Sequence, residues 1–336
     1  MNRTHRLEKG VILVTGAAGF IGSAVVHELN LRGYSNILVS DFLGCDEKWK
    51  NLVKLNFDEF CPVNELRKSI LEEGTLAADV RTIFHLGACS STTERDMDYL
   101  ADNNYRTTLE LARFAVKRRV RLVYASSAAT YGDGSQGFDD SEENLLRLRP
   151  LNAYGFSKHL TDVHLQKSGL LKSVTGLKYF NVFGPNEQHK CDMRSVISKV
   201  CSDAAKSGVI RLFKSHDPRY ADGESVRDFI YVKDAARMTV DISECVDAVG
   251  LFNIGSGRAR SWNDVARAIF AALGREVCIE YIDMPESLVG KYQYFTEARM
   301  EKFLRLFPES GVRFSLEEAV SDYVKNYLLT GKFLGD

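Results

Sequence analysis

No stretch of this 336-residue sequence has the uninterrupted apolar length of a membrane span, and its opening MNRTHRLEKG is polar where a secretion signal carries an apolar core. The chain is therefore expected to be cytoplasmic. Charge of one sign is also lacking: Lys and Arg number 44, Asp and Glu 45, and the formal net charge is −1. With no basic or acidic block, neither nucleic acid nor a membrane surface is an expected partner, and small molecules are. The 7 cysteines (Cys45, Cys61, Cys89, Cys191, Cys201, Cys245 and Cys278) are odd in number, scattered and never in a C-x-x-C pair. That excludes a disulfide framework and a zinc site, so they read as reduced thiols. His85, His159, His164 and His189 show no ligand spacing, and no metal is expected.

What is present is 45% hydrophobic content, enough for a large core spread over two lobes. From Val11 onward β-branched runs alternate with helical stretches: VILVT, FIGSAVVHELNLRG, NILVSD, VRTIFHL, a long helix from about Glu94 to Arg119, and VRLVYASS. Such alternation predicts an α/β fold built on a doubly wound parallel sheet. It continues through a helix starting near Tyr154 and a strand VTGLKYFNV, then turns irregular after Gly184, where a smaller mixed α/β lobe is expected. DFIYVKDAARMTVDISE reads as a strand and helix rejoining the first lobe. The expected division is 10–180 with about 227–250 as one lobe, 181–226 and 251–330 as the other, and 1–9 as a disordered tail. Ser261, with Asp264 three residues on, reads as a helix N-cap.

VTGAAGFIG sets Gly16, Gly19 and Gly22 between a strand and a helix, where small residues admit a pyrophosphate to the helix N-terminus. The spacing is G-x-x-G-x-x-G, and glycines alone also suit a tight turn. Asp41, ending the second strand about 20 residues past the last glycine, can accept hydrogen bonds from an adenosine ribose. Together these point to a dinucleotide. Asp41 favours NAD, whereas Lys48 and Lys50 stand where they could meet the 2′-phosphate of NADP, and both cofactors stay open at this point.

In NAYGFSK, Tyr154 and Lys158 are four apart and share a helix face. A chain with 14 tyrosines holds about one such pair by chance. A neighbouring ammonium and a positive nicotinamide would favour the phenolate, making Tyr154 a usable base. The preceding strand ends in YASSAATYG at the carboxyl edge where ligands bind open α/β sheets. There Ser127 is placed to hydrogen-bond the reacting hydroxyl, with a simple turn cap as its bland alternative.

These three segments resemble the extended branch of the short-chain dehydrogenase/reductase superfamily, which implies a Rossmann lobe for a nicotinamide cofactor and a second lobe for a sugar nucleotide. The dehydratases of that superfamily carry an Asp-Glu pair where this chain has Ala128 and Ala129, and a methyl group cannot move a proton. GACSSTTE (Gly87 to Glu94), DNNY (Asp102 to Tyr105), YASSAATYG and YFNVFGPNEQHK (Tyr179 to Lys190) are similar to the ADP-L-glycero-D-manno-heptose 6-epimerases. RDFIYV, FNIGSGRA and GKYQYFT are weaker echoes beyond residue 190.

The resemblance implies an isomerase that inverts C6 of an ADP-heptose through hydride transfer to bound NADP and a keto intermediate, supplying a lipopolysaccharide inner-core precursor. It implies Tyr154 and Lys190 as bases, one for each epimer, with Lys158 and Ser127 in support. Around the cofactor it places Gly16, Gly19, Phe20, Ile21, Gly22, Asp41, Phe42, Lys48, Leu86, Gly87, Ala88, Cys89, Ser90, Asn103, Lys158 and Val182. Around the ADP-heptose it places Ser127, Asn181, Asp192, Lys199, Phe213, Lys214, Ser215, His216, Arg227 and Tyr292. Arg227 suits the diphosphate, its bland alternative being a surface ion pair with Asp228. A homo-oligomer, as a pentamer, is also implied. The chain departs from the family pattern in a longer 214–227 segment, in Leu86 where an acid is familiar, and in the residues before Val11. Two rival readings are a UDP-hexose 4-epimerase and a non-catalytic NAD(P)-sensing protein.

Overall fold

Near-continuous apolar runs form the strands β1 (Val11–Thr15), β2 (Ile37–Asp41), β3 (Glu59–Pro62), β4 (Val80–His85), β5 (Arg121–Ser127) and β6 (Thr175–Tyr179) of this computed structural model, which describes residues 4–72, 74, 78–286, 289 and 292–336. Runs of this kind suit a sheet covered on both faces. With β10 (Gly250–Ile254) these strands build one seven-stranded sheet in the order β10-β6-β5-β4-β1-β2-β3, every neighbour parallel. This is the Rossmann-type arrangement. The chain winds outward from β1 to β3, then crosses back to β4, so the carboxyl ends of β1 and β4 flank a topological switch point where ligands bind.

Two smaller sheets form the second lobe. β7 (Asn181–Phe183) and β11 (Ala259–Ser261) flank β9 (Val226–Tyr231), while β8 (Ile210–Phe213) pairs in parallel with β12 (Ile279–Ile282). Their apolar faces and the helices Val196–Ser207, Trp262–Leu273 and Leu316–Tyr323 enclose a separate core that includes Ile197, Phe270, Val320 and Tyr323.

Several expectations change in detail. VTGLKYFNV is two strands serving two sheets: Phe180 N–H donates to Ile254 O (2.9 Å) where β10 ends, and Val182 then pairs with Ile230 of β9. The DFIYV strand lies in the second lobe's sheet, because its β7 and β11 neighbours are there. Its helix Val232–Ser243 does rejoin the first lobe, along the helix Phe20–Leu31. Gly250–Ile254, which the expected division cuts at 250/251, completes the large sheet beside β6. The long helix begins at Met97 and passes through a π-helical turn, Ala101–Arg106, before Thr107–Arg118.

The expected disordered tail is corrected over Thr4–Lys9, while Met1–Arg3 lie outside the described residues. Leu7 is buried in the main core, Thr4 bridges Cys245, and the His5 ring meets Thr82 Oγ1 at 2.7 Å. Burial of Leu7 and the His5 N–H bond to Glu244 O (2.7 Å) oppose the entropy of ordering this segment. No described helix is long and apolar enough to cross a membrane.

The N-cap read at Ser261 is present as a full capping box: Ser261 Oγ accepts from Asp264 N–H (3.1 Å), and Asp264 Oδ2 accepts from Ser261 N–H (3.3 Å). Ser261→Ala is expected to lower unfolding free energy by about 1 kcal/mol. Urea unfolding checks this, and an unchanged midpoint would remove the cap from the account.

Candidate active site

β1 delivers its last residue into a turn that only glycine can make. Gly16 has φ +67°, and a Cβ there would meet the backbone of Gly87 at 2.5 Å, while a Cβ on Gly22 would collide with the Gly16 carbonyl. The helix Phe20–Leu31 starts at Gly19 with no side-chain cap and no acid in its first turn. Its first N–H groups and the positive end of its dipole are thus offered to an anion. The residues here fit the pyrophosphate of a dinucleotide, in a cleft of about 600 Å³.

Asp41 is engaged at each oxygen: Oδ2 accepts from Ala18 N–H (2.9 Å) and Oδ1 pairs with Lys48 Nζ (3.0 Å). Lys50 turns away to Glu47 (2.6 Å), so only one of the two loop lysines reaches the site. Gly16, Gly19, Phe20, Ile21, Gly22, Asp41, Lys48, Leu86 to Ser90, Lys158 and Val182 line the cleft, and Phe42 and Asn103 line a side cavity that also borders Asp41 and Lys48.

Tyr154 stands in the first turn of the helix Ala153–Lys167, capped by Asn152 Oδ1 accepting from Gly155 N–H (2.7 Å). It is half-buried, and the cleft also includes Ser127, Lys158 and Lys190. The expected acidification by Lys158 is corrected. Burial pushes the Tyr154 phenol above its usual value, a hydrogen bond with Ser127 opposes this, and nearby Cys89 adds to the rise. Lys158 Nζ instead donates to Ala125 O (2.8 Å), and burial draws its pKa down to about 8 against the opposing charge of Asp162. Ser127 Oγ accepts from Ala129 N–H (3.1 Å), which is the turn-capping contact.

Lys190 lies in the turn Gln188–Met193 with its Nζ 5.6 Å from the ring centre of Phe20. Burial lowers its pKa, with Glu187 pulling the other way. Of the residues expected around the substrate, Asn181 lines the main cleft, while Phe213, Lys214, Ser215 and Tyr292 line a narrow cavity in the second lobe. Asp192, Lys199, His216 and Arg227 line neither cavity. Lys199 Nζ donates to the Asp192 carbonyl, and His216 N–H to Tyr294 Oη (3.1 Å). The surface pair Arg227–Asp228 does not form: Asp228 accepts from Ser256, Gly257 and Ala298 N–H groups at 2.6–2.9 Å. Arg227 is 7% exposed, 5.2 Å from the Tyr292 ring centre, and burial lowers its pKa.

Residues 12–255 match the NAD dependent epimerase/dehydratase family. The chain belongs to that family. An ADP-L-glycero-D-manno-heptose-6-epimerase of Nitratidesulfovibrio vulgaris (strain DP4) is 50% identical over 94% of this chain and 97% of its own length. Another so named, from Fusobacterium nucleatum subsp. nucleatum, is 41% identical over 95% and 98%. The crystal structure of the Helicobacter pylori ADP-L-glycero-D-manno-heptose-6-epimerase superposes with a TM-score of 0.78 at 26% identity, covering 95% of this chain and 96% of that one. This family member is an epimerase, hence an isomerase, with a nicotinamide cofactor.

Three buried residues of this epimerase escaped the sequence reading. Asn104, in the π-helical turn, holds the 87–90 loop by accepting from Cys89 N–H (2.8 Å) and donating to Cys89 O (3.0 Å). Asp162 takes Tyr124 Oη (2.8 Å), Ser126 Oγ (2.7 Å) and Lys178 Nζ (3.0 Å) beneath the strand that ends at Ser127. Asn51 bonds the phosphate loop. The available signal was polar residues at helix positions that otherwise face the core.

Lys158 supplies a pH test. Because its native pKa of about 8 lies below the unfolded value of roughly 10.4, the unfolded chain binds more protons between the two. Stability contributed by this residue therefore rises with pH across that window. Comparing unfolding free energies at about pH 7.5 and 9.5, wild type should gain more than Lys158→Met. Equal gains would place the lysine's titration elsewhere.

Proposed function

We propose that this epimerase inverts C6 of ADP-D-glycero-D-manno-heptose to the L-glycero epimer, with NADP as its retained cofactor. The observation that carries the reading is the convergence of Tyr154 and Lys190, from different elements, on the cleft that holds the phosphate loop. The names of relatives at 41–50% identity over nearly the whole chain support the sugar. The bound nicotinamide supplies hydride acceptance from C6 and its return.

The chain's own residues handle the protons. Tyr154, hydrogen-bonded by Ser127, takes the proton from the C6 hydroxyl of one epimer as the carbonyl forms. Turning the ketone about C5–C6 moves its oxygen to another side, beyond the reach of a single fixed base. There Lys190 protonates the oxygen as the hydride returns, and solvent carries the proton left on Tyr154 back to Lys190, so atoms and electrons balance with no net oxidation. Burial lowers the Lys190 pKa, which eases release and recapture of its proton. A phenol raised by burial needs help to ionise, and a positive nicotinamide supplies it only when bound. Lys158, whose Nζ donates to Ala125 O, is assigned to the bound cofactor.

Arg227, a buried guanidinium with no carboxylate partner among the described residues, is assigned the substrate diphosphate, which would restore its lost solvation. Support for NADP comes from Lys48, whose ammonium stands 3.0 Å from Asp41 Oδ1 and so sets a positive charge beside the carboxylate assigned to the ribose.

Two measurements test this. Tyr154→Phe and Lys190→Ala should each lower kcat with the ADP-heptose by about 100-fold or more while cofactor content is kept; near-wild-type turnover in both, or preferential turnover of UDP-hexoses, overturns the assignment. Denaturing the purified protein should release NADP, and Lys48→Ala should weaken NADP retention about tenfold relative to NAD, the equivalent of one charge-assisted hydrogen bond. Release of NAD alone would reverse the cofactor choice.

A further inference from the structure

Among the described residues no side-chain hydrogen bond fixes the Lys190 ammonium. No ion pair reaches its Nζ among the described residues, and its contact is the Phe20 ring at 5.6 Å. The backbone that carries it is unfavourable by itself: Cys191, the next residue, sits at φ +47°, ψ −119°, and Asn186, four before, at φ +74°. Left-handed conformations in non-glycine residues persist only where surroundings hold them. The holding group is therefore elsewhere.

It is found on the turn Glu47–Leu52, at Asn51. Asn51 is 2% exposed, and its Nδ2 donates to Ala18 O (2.8 Å) in the phosphate loop and to Asn186 O (3.0 Å), with His189 Nδ1 3.3 Å away. One amide thus spans the loop that cradles the cofactor and the segment that carries Lys190. Asn186 completes the clasp: its Nδ2 donates to Ser23 Oγ (3.0 Å) on the helix Phe20–Leu31, and its Oδ1 accepts from Leu334 N–H (3.0 Å). Ser23 Oγ in turn donates to Phe20 O (3.2 Å), the residue under the Lys190 ammonium.

We propose that Asn51 is a positioning residue for Lys190, tying its segment to the phosphate loop through Ala18 and Asn186 so that the ammonium stands over Phe20 in the cleft. The inference rests on the reading of Lys190 as a proton carrier. Both ends of the clasp are backbone carbonyls, which accept only, so the asparagine amide cannot be replaced by a carboxylate of the same shape. A misplaced catalytic group of about 1 Å costs on the order of 100-fold in rate.

The test is a double-mutant cycle, read as kcat with the ADP-heptose on cofactor-loaded enzyme. Asn51→Ala is expected to lower kcat about 10- to 100-fold, with KM and bound nucleotide little changed. In a Lys190→Ala background the same substitution should add almost nothing, because the group it positions is gone. Ser23→Ala, a milder change on the same clasp, should show a smaller loss with the same non-additivity, and serves if Asn51→Ala does not fold. Losses that multiply in the Lys190→Ala background overturn the clasp and leave Lys190's own role standing. A Lys190→Ala enzyme with wild-type kcat overturns the base assignment instead. An Asn51→Ala enzyme that loses nucleotide and keeps kcat when reloaded makes the residue a support of the phosphate loop alone, and also refutes the proposal.

Discussion

A backbone contact that excludes side chains governs this molecule. Gly16 lies against Gly87, and Gly22 against the Gly16 carbonyl, so β1, β4 and the helix Phe20–Leu31 meet at one point with no Cβ between them. From that point the site is laid out. The helix N-terminus is left uncapped, Asp41 is spent on Ala18 N–H, and Asn51 on Ala18 O. The carboxylate read as a ribose ligand is thus first a brace for the turn, and its remaining oxygen belongs to Lys48. A turn this tight is stable only while its few polar groups are satisfied.

The second feature is a set of cations kept without matching anions. Lys158, Lys190 and Arg227 are all drawn below their usual pKa by burial. Lys178, equally deep, is paired with Asp162 at 3.0 Å and belongs to the scaffold. A paired ion completes the core, whereas a buried cation without an ion-pair partner keeps the cost of its lost solvation.

Much of the first lobe was legible because period and spacing are local properties. The β-branched runs, the glycines before an amphipathic helix, and a tyrosine and lysine four apart each encode geometry within a few residues. The Ser261 capping box is of the same kind. Illegible from the chain alone were the partners of those residues. VTGLKYFNV looks like one strand because the pleat continues through Phe180, but which sheet receives each half depends on β10 and β9, far along the sequence. Asn51, Asn104 and Asp162 sit in unremarkable local contexts and acquire meaning through contacts with Asn186, Ser157 and Lys178.

The sequence by itself determined the α/β rhythm and the glycine turn that opens the first helix, since each follows from side-chain chemistry and short-range periodicity. Tertiary structure alone decided the electrostatic state of Tyr154 and Lys158. Lys158 lies one helical turn from Tyr154, as its spacing requires, yet its ammonium is turned to Ala125 O and the phenol is raised by burial. Proximity along a helix fixes which face a group occupies; how much water it keeps, and which carbonyl claims its proton, depends on chain segments packed from elsewhere.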